Sequence, residues 1–147
     1  MKEILIILWI NAAMVAMGFW EAYVEGRNPW DKRKLGWKIK LGKYCFPAYH
    51  FYLFVVMIPL LLTLPFIIFG WNLKFFLIIA GAYSLGLVVE DFTWYLVNPK
   101  VKLKEFHTSF SDYFPWIKIK NKKIIPWGYL IGVIIAIFLF YFSWGLK

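Results

Sequence analysis

The sequence is poor in cysteine, histidine and acidic residues. One cysteine, Cys45, and two histidines occur in 147 residues, and a single cysteine excludes an intrachain disulfide. Asp and Glu total 8 against 17 Lys and Arg, which gives a net charge of +9. The chain contains no zinc-protease His-Glu-x-x-His motif, Walker loop, nucleophile elbow or dinucleotide-binding glycine motif. These absences exclude the enzyme classes that such motifs identify.

Apolar residues are abundant instead. The chain is 62% hydrophobic and 22% aromatic, whereas about half of a soluble domain is apolar. Four stretches reach the roughly 20 residues that cross a bilayer. We predict an all-α, single-domain integral membrane protein over residues 1–147, built as a four-helix bundle. Its helices are expected at about 4–24, 46–69, 73–97 and 125–144, with Pro59 and Pro65 kinking the second rather than ending it.

Basic residues concentrate in the two longest connections between these helices. Each connection carries seven, and only Lys2, Lys74 and Lys147 lie elsewhere. The positive-inside rule therefore predicts cytoplasmic loops and outside termini in a plasma or inner membrane, without a cleavable signal peptide. The loops are expected to attract anionic lipid headgroups and not nucleic acid. The fourteen residues are Arg27, Lys32, Arg33, Lys34, Lys38, Lys40, Lys43, Lys100, Lys102, Lys104, Lys118, Lys120, Lys122 and Lys123.

Each basic loop contains a segment in which apolar and basic residues alternate. These segments cover residues 37–41 and 117–120. Alternation with a period of two is typical of extended structure with one apolar face. Two interpretations follow: the segments pair with each other as a small sheet, or they are irregular loops whose Trp and Lys side chains lie at the headgroups.

The two halves of the chain share a pattern. Glu21 precedes Asn28-Pro29 by seven residues, and Asp91 precedes Asn98-Pro99 by the same number. A basic stretch, an alternating segment and a proline that opens the next helix follow in each half. The pattern indicates a parallel repeat of two helical hairpins. Since Asn-Pro is also an ordinary helix terminator, coincidence is the alternative.

Glu90 and Asp91 are the most informative residues, because they lie inside a predicted membrane span. A carboxylate in hydrocarbon costs about 2.5–3.5 kcal/mol and usually marks a functional site. The predicted topology places Glu21, His50 and Asp91 at one depth near the cytoplasmic boundary, each on a different helix. Adjacent helical positions are about 100° apart, so Glu90 and Asp91 are expected to have different partners.

This polar layer contains the candidate catalytic residues Glu90, Asp91, Glu21 and His50. Carboxylates with a neutral imidazole suit a divalent cation, and we name Glu21, His50 and Asp91 as its ligands. The same groups could transfer protons. The second-rank candidates are Asn98, His107, Glu25 and Asp112. Glu25 is interpreted as hydrated at the interface, and His107 and Asp112 as either a lid over the site or hydrated loop residues.

One local similarity bears on the substrate. Glu90-Asp91 is followed by Phe92, Trp94 and Tyr95. This is similar to the membrane-embedded carotenoid (lycopene) cyclases, in which a Pro-x-Glu-Glu element precedes aromatic residues. The similarity covers about eight residues, and Leu87 and Val88 stand where those enzymes have the proline. It implies acid catalysis on an isoprenoid.

Three functional hypotheses follow. The leading one is a carboxylate–histidine site at the cytoplasmic interface that binds a divalent cation or transfers protons and acts on a lipid or isoprenoid. The second is a proton- or ion-coupled transporter that works as an oligomer. Its protomers would contact each other through Gly128 and Gly132. The spacing of these two residues favours close helix packing within the bundle or between protomers. The third is a non-catalytic scaffold with a structural polar layer.

Overall fold

A computed structural model describes residues 1–29, 35–41 and 44–146. Lys32, Arg33, Lys34 and Lys43 of the first basic loop, and Lys147, lie outside the described residues. The protein divides into two compact units. Unit 1 comprises Met1–Arg27 and Leu73–Lys147, and unit 2 comprises Asn28–Asn72.

The described residues contain four helices that are long and apolar enough to cross a membrane. They are α1 (Lys2–Glu25), α2 (Ala48–Phe69), α3 (Leu73–Val97) and α4 (Trp127–Gly145). The four predicted helices are confirmed, with ends that differ by no more than two residues. The starts of α2 and α4 are later than expected because the prolines before them end β-strands.

Helix α2 continues through both of its prolines. Residues Phe51–Met57 form a π-helical segment just before Pro59. A proline has no N–H and its ring clashes with a carbonyl one turn earlier, and the wider π-helical turn accommodates both effects. The Thr63 hydroxyl donates to the carbonyl oxygen of Pro59 at 2.9 Å. As predicted, the prolines do not end the helix.

Both alternating segments are β-strands, but each pairs with the residues that follow it. Strand β1 (Lys38–Leu41) pairs antiparallel with β2 (Tyr44–Pro47), and β3 (Trp116–Ile119) with β4 (Lys122–Pro126). Lys120 and Asn121 form the second turn with φ of 47° and 64°, as a tight two-residue hairpin requires. The extended interpretation is right and the irregular-loop alternative is wrong. Pairing of the two segments with each other stays a prediction.

Small residues let α1 and α4 pack closely on α3 in unit 1. A Cβ atom at Gly86 would lie 2.7 Å from Cγ of Met14, and one at Gly132 would lie 2.8 Å from Cγ2 of Val88. The Ser84 hydroxyl also donates to the carbonyl oxygen of Gly132 at 2.9 Å. Gly132 thus serves packing within the chain, whereas Gly128 faces open space. Oligomerisation through these glycines stays a prediction.

A hydrophobic core lies where α1 and α3 end and α4 begins, which we call the loop end of unit 1. Residues 98–126 fold over this end with two short 3₁₀ helices, Leu103–His107 and Ser109–Ser111, and the β3–β4 hairpin. The indole N–H of Trp116 donates to the Ser111 carbonyl oxygen at 2.9 Å, which fixes the hairpin to the second 3₁₀ helix. The core comprises Ala22, Trp94, Tyr95, Val101, Phe106 and Trp116.

Candidate functional site

Gly18 brings α1 against α3 beside Glu90. A Cβ atom at Gly18 would lie 2.7 Å from the Glu90 carbonyl oxygen and 2.9 Å from Cβ of Thr93. Contact this close requires the absence of a side chain. It places the last two turns of α1, with Glu21 and Glu25, beside the part of α3 that carries Glu90.

Three glutamates are buried at this contact. Glu21, Glu25 and Glu90 are 4%, 7% and 4% exposed. Glu21 lies on α1 three residues after Gly18, which contacts Glu90 itself, so the Glu21 and Glu90 side chains are buried beside each other. Glu25 is therefore not hydrated at the interface as expected. It follows Glu21 by one helical turn on the same buried face.

Asp91 points to a different helix from Glu90. Its Oδ2 accepts a hydrogen bond from the Tyr129 hydroxyl of α4 at 2.6 Å. One helical turn further along α3, the Tyr95 hydroxyl is hydrogen-bonded to that of Tyr113 in the loop. The expectation that Glu90 and Asp91 have different partners is confirmed.

Two buried polar atoms on one face of α3 have no hydrogen-bond partner among the described residues. They are Oε1 of Glu90 and the indole nitrogen Nε1 of Trp94, and the two residues are four positions apart. A buried donor or acceptor without a partner costs about 1–3 kcal/mol. One acceptor and one donor are thus left for a bound group beside the glutamates.

Aromatic side chains of the loop cover this region. Phe106 contacts Tyr95 and Tyr129 with ring centroids 4.8 and 5.9 Å apart, and Phe110 stacks on Trp94 at 6.4 Å. Burial, with Tyr95 and Asp91 nearby, raises the pKa of Tyr113 far above its ordinary value. Its hydroxyl therefore keeps its proton at physiological pH and can donate within the covered region.

The loop lies over the end of the helices, but His107 and Asp112 are on its surface. His107 is exposed, and its ring packs against Phe106 and Trp116 at 4.9 and 5.4 Å. Asp112 is exposed and forms an ion pair of 2.8 Å with Lys123. The loop residues that cover Trp94 and Tyr95 are aromatic, and His107 and Asp112 lie outside this aromatic layer.

Asn98 is buried and connects the end of α3 to the end of α1. Its Nδ2 donates to the Gly26 carbonyl oxygen at 2.7 Å, and its Oδ1 accepts from the backbone N–H groups of Lys100 and Val101 at 2.8 and 3.1 Å. These bonds use both ends of the amide. They give Asn98 a structural role at the Asn-Pro turn.

Arg27 and Glu105 form a second link between α1 and the loop. Two hydrogen bonds of 2.6 and 3.1 Å join the guanidinium to the carboxylate, and Arg27 also donates to the Lys100 carbonyl oxygen at 2.8 Å. Hydrogen bonds from Arg27 and from the backbone N–H of Lys102 lower the pKa of Glu105 to about 2. The pairing likewise raises the pKa of Arg27.

His50 belongs to unit 2, near the start of α2. Its ring lies among aromatic neighbours, with centroids 4.2 Å from Tyr49 and 5.5 Å from Phe54. The predicted metal site of Glu21, His50 and Asp91 draws on residues of both units and stays a prediction.

Sequence reasoning missed Tyr129, Tyr113 and Gly18. Tyr129 follows Pro126 by three residues, as His50 follows Pro47, so the suspected repeat was a signal for it. Tyr113 carried no comparable signal, since its partner depends on how the loop folds. Gly18 and Ala22 have the small-xxx-small spacing, which could have indicated a close helix contact there.

Comparison with known proteins assigns no family to the chain. No protein-family model, curated protein or solved structure matches it. The local similarity to the carotenoid cyclases gains no support from these comparisons and stays a prediction.

Proposed function

We propose that this is a small membrane protein whose buried carboxylate site holds a proton or a divalent cation and acts on a lipid. The observation that carries the proposal is the burial of the Glu21 and Glu90 side chains beside each other, at the helix contact that Gly18 permits. Two buried carboxyl groups beside each other repel when both are ionised, so such a pair favours a proton or a cation. The pair is therefore a binding site for positive charge.

The neighbouring groups support chemistry at this pair. Oε1 of Glu90 and Nε1 of Trp94 lack partners among the described residues, so an acceptor and a donor are available one turn apart. A protonated Glu90 could donate a proton to an apolar substrate. Helices of membrane-spanning length carry the site, so lipid is the proposed substrate class. Under the predicted orientation the site lies at the cytoplasmic boundary, and His50 is proposed as a further ligand.

Glu90→Gln in the purified full-length protein tests the binding of positive charge. We expect either a bound divalent metal, measured by mass spectrometry of metal content after loading with Mn²⁺ or Zn²⁺, or an infrared band of a protonated carboxyl group. Whichever of these two signals the wild-type protein shows should disappear in Glu90→Gln. It should persist in Glu3→Gln, a control at the other end of α1. If wild type shows neither signal, the proposal is wrong.

Action on a lipid requires a separate experiment. Wild type, Glu90→Gln and Glu3→Gln would be reconstituted in liposomes made from a total lipid extract, and the lipids compared by mass spectrometry over time. We expect a chemical change that wild type and Glu3→Gln produce and Glu90→Gln does not. An unchanged lipid profile with wild-type protein would refute the lipid substrate.

A structural role is the second candidate, and it applies to Asp91. The hydrogen bond from Tyr129 to Asp91 joins α3 to α4, as interhelical polar bonds commonly do at about 0.6 kcal/mol each. Asp91→Asn keeps an acceptor for Tyr129. We expect this variant to retain fold and lipid turnover if Asp91 is structural and to lose turnover if its charge is needed.

A further inference from the structure

Two hollows on unit 1 meet at His107. The first is an open apolar groove of about 740 Å³ between the last third of α3, the loop and the start of α4. The second is a polar hollow of about 590 Å³ on the β3–β4 hairpin. His107 lines both, so one elongated molecule could occupy them together.

The groove begins on a membrane-spanning helix and ends at basic side chains. Its walls include Val88 and Phe92 of α3 and Leu103 and Ile124 of the loop, and Lys104 and His107 also line it. Phe92 lies five residues before the end of α3, which corresponds to about 8 Å along the helix. A lipid chain could therefore enter the groove from the bilayer without crossing water.

The polar hollow is suited to an anion. Lys118 and Lys122 line it and are exposed. Asp112 and Lys123 also line it, but they pair with each other at 2.8 Å, so their charges offset. Lys118 and Lys122, with His107, are the groups that a phosphate would meet.

We propose that the two hollows bind one anionic phospholipid, with its headgroup phosphate between Lys118 and Lys122 and an acyl chain along the groove of Val88, Phe92 and Leu103. A soluble anion would leave the apolar groove exposed, and a zwitterionic lipid would gain less from the lysines. The apolar wall and the basic hollow together favour an anionic lipid. This site is separate from the Glu21–Glu90 pair and does not depend on its chemistry.

The test is a titration of delipidated full-length protein in detergent, followed by native mass spectrometry with a metal chelator present. The chelator separates lipid binding from any metal binding at the glutamates. Phosphatidylglycerol, phosphatidylcholine and inorganic phosphate serve as the three probes. We expect phosphatidylglycerol to bind at least about tenfold more tightly than phosphatidylcholine. We expect inorganic phosphate not to displace it.

Two variants with matched controls locate the site. Lys118→Gln with Lys122→Gln should weaken phosphatidylglycerol binding about 30-fold, roughly fivefold for each basic residue. Lys38→Gln with Lys40→Gln makes the same charge change on the β1–β2 hairpin and should leave binding unchanged. Leu103→Trp fills the groove and should also weaken binding, whereas Ile39→Trp, which is exposed on the β1–β2 hairpin, should not.

Four outcomes would overturn the proposal. Equal binding of the two lipids would show that the headgroup charge does not contribute to binding. Displacement of the lipid by inorganic phosphate would indicate a site for a soluble anion. An equal loss in the two lysine pairs would indicate general surface attraction. Unchanged binding in Leu103→Trp would show that the acyl chain does not lie in the groove. This variant tests the groove independently of the lysines.

Discussion

At the scale of single residues, Gly18 controls the separation of α1 and α3. We predict that Gly18→Ala destabilises the protein by about 1–3 kcal/mol, as overpacking commonly does. The added Cβ would lie 2.7 Å from the Glu90 carbonyl oxygen, so the helices must separate. The measurement is unfolding in detergent followed by circular dichroism.

Gly128→Ala is the control, because no atom lies within 4 Å of a Cβ placed there. That variant should be neutral or slightly stabilising, since Ala is the better helix former. Equal effects of the two substitutions would show that the Gly18 contact is not tight.

Glu105 gives the fold a pH dependence. Its pKa is lowered from 4.5 to about 2, so the charged form is favoured in the folded state. The Arg27–Glu105 pair therefore stabilises the fold above about pH 4.5, and this stabilisation is lost as the pH falls towards 2. Thermal unfolding at a series of pH values should show the loss in wild type.

Glu105→Gln should flatten that part of the profile, and Arg27→Gln should have the same effect because it removes the partner. A profile in Glu105→Gln with the wild-type slope between pH 4.5 and 2 would show that other carboxyl groups cause the acid sensitivity.

At the scale of elements, the two hairpins share a local design. The backbone N–H of Ala48, just after Pro47, donates to the Trp37 carbonyl oxygen at 3.0 Å, and that of Trp127, just after Pro126, donates to Pro115 at 2.8 Å. Each bond joins the start of a helix to the residue before the hairpin. Both bonds extend an antiparallel ladder by one position, and the parallel repeat stays a prediction.

The two Asn-Pro turns differ in burial, which makes a matched pair of variants. Asn98 is buried with three hydrogen bonds, whereas Asn28 is exposed. We predict that Asn98→Ala costs about 2 kcal/mol or more, because it leaves buried backbone groups without partners. Asn28→Ala should change stability by less than about 0.5 kcal/mol. Equal losses in chemical unfolding would contradict this assignment.

The elements were predictable to different degrees, for physical reasons. The four spans follow from apolar runs of membrane length, and their ends are marked by Pro47, Pro126 and Asn-Pro. The hairpins were recognised as extended, but their pairing depends on turns, and Lys120-Asn121 is not a strong turn signal. The aromatic cover over Trp94 and Tyr95 could not be predicted, because it depends on contacts between residues far apart in the sequence.

The acidic residues of the candidate site could be predicted from the sequence, but the residues that contact them could not. A carboxylate in an apolar run is conspicuous, which identified Glu90, Asp91 and Glu21. Their partners are set by helix rotation and by the loop, so Tyr129 was missed and Glu25 was wrongly placed in water.

At the scale of the molecule, the charge distribution predicts which end of the helices faces the cytoplasm. In unit 1, Lys74 pairs with Glu3 at 3.0 Å, so the starts of α1 and α3 lie at one end. The Arg27–Glu105 pair lies at the loop end. With α1 spanning 24 residues, about 36 Å separates its two ends, enough to place them on opposite sides of a bilayer.

Cysteine labelling in intact cells tests this orientation. In a Cys45→Ser background, Lys74→Cys should react with a membrane-impermeant maleimide added from outside, because the positive-inside rule places that end outside. Lys118→Cys should react only after the membrane is permeabilised. The reverse pattern would put the basic loops outside and would remove the cytoplasmic position proposed for the Glu21–Glu90 pair. The helix contact at Gly18 that brings Glu21 beside Glu90 would be unaffected, since it lies within unit 1.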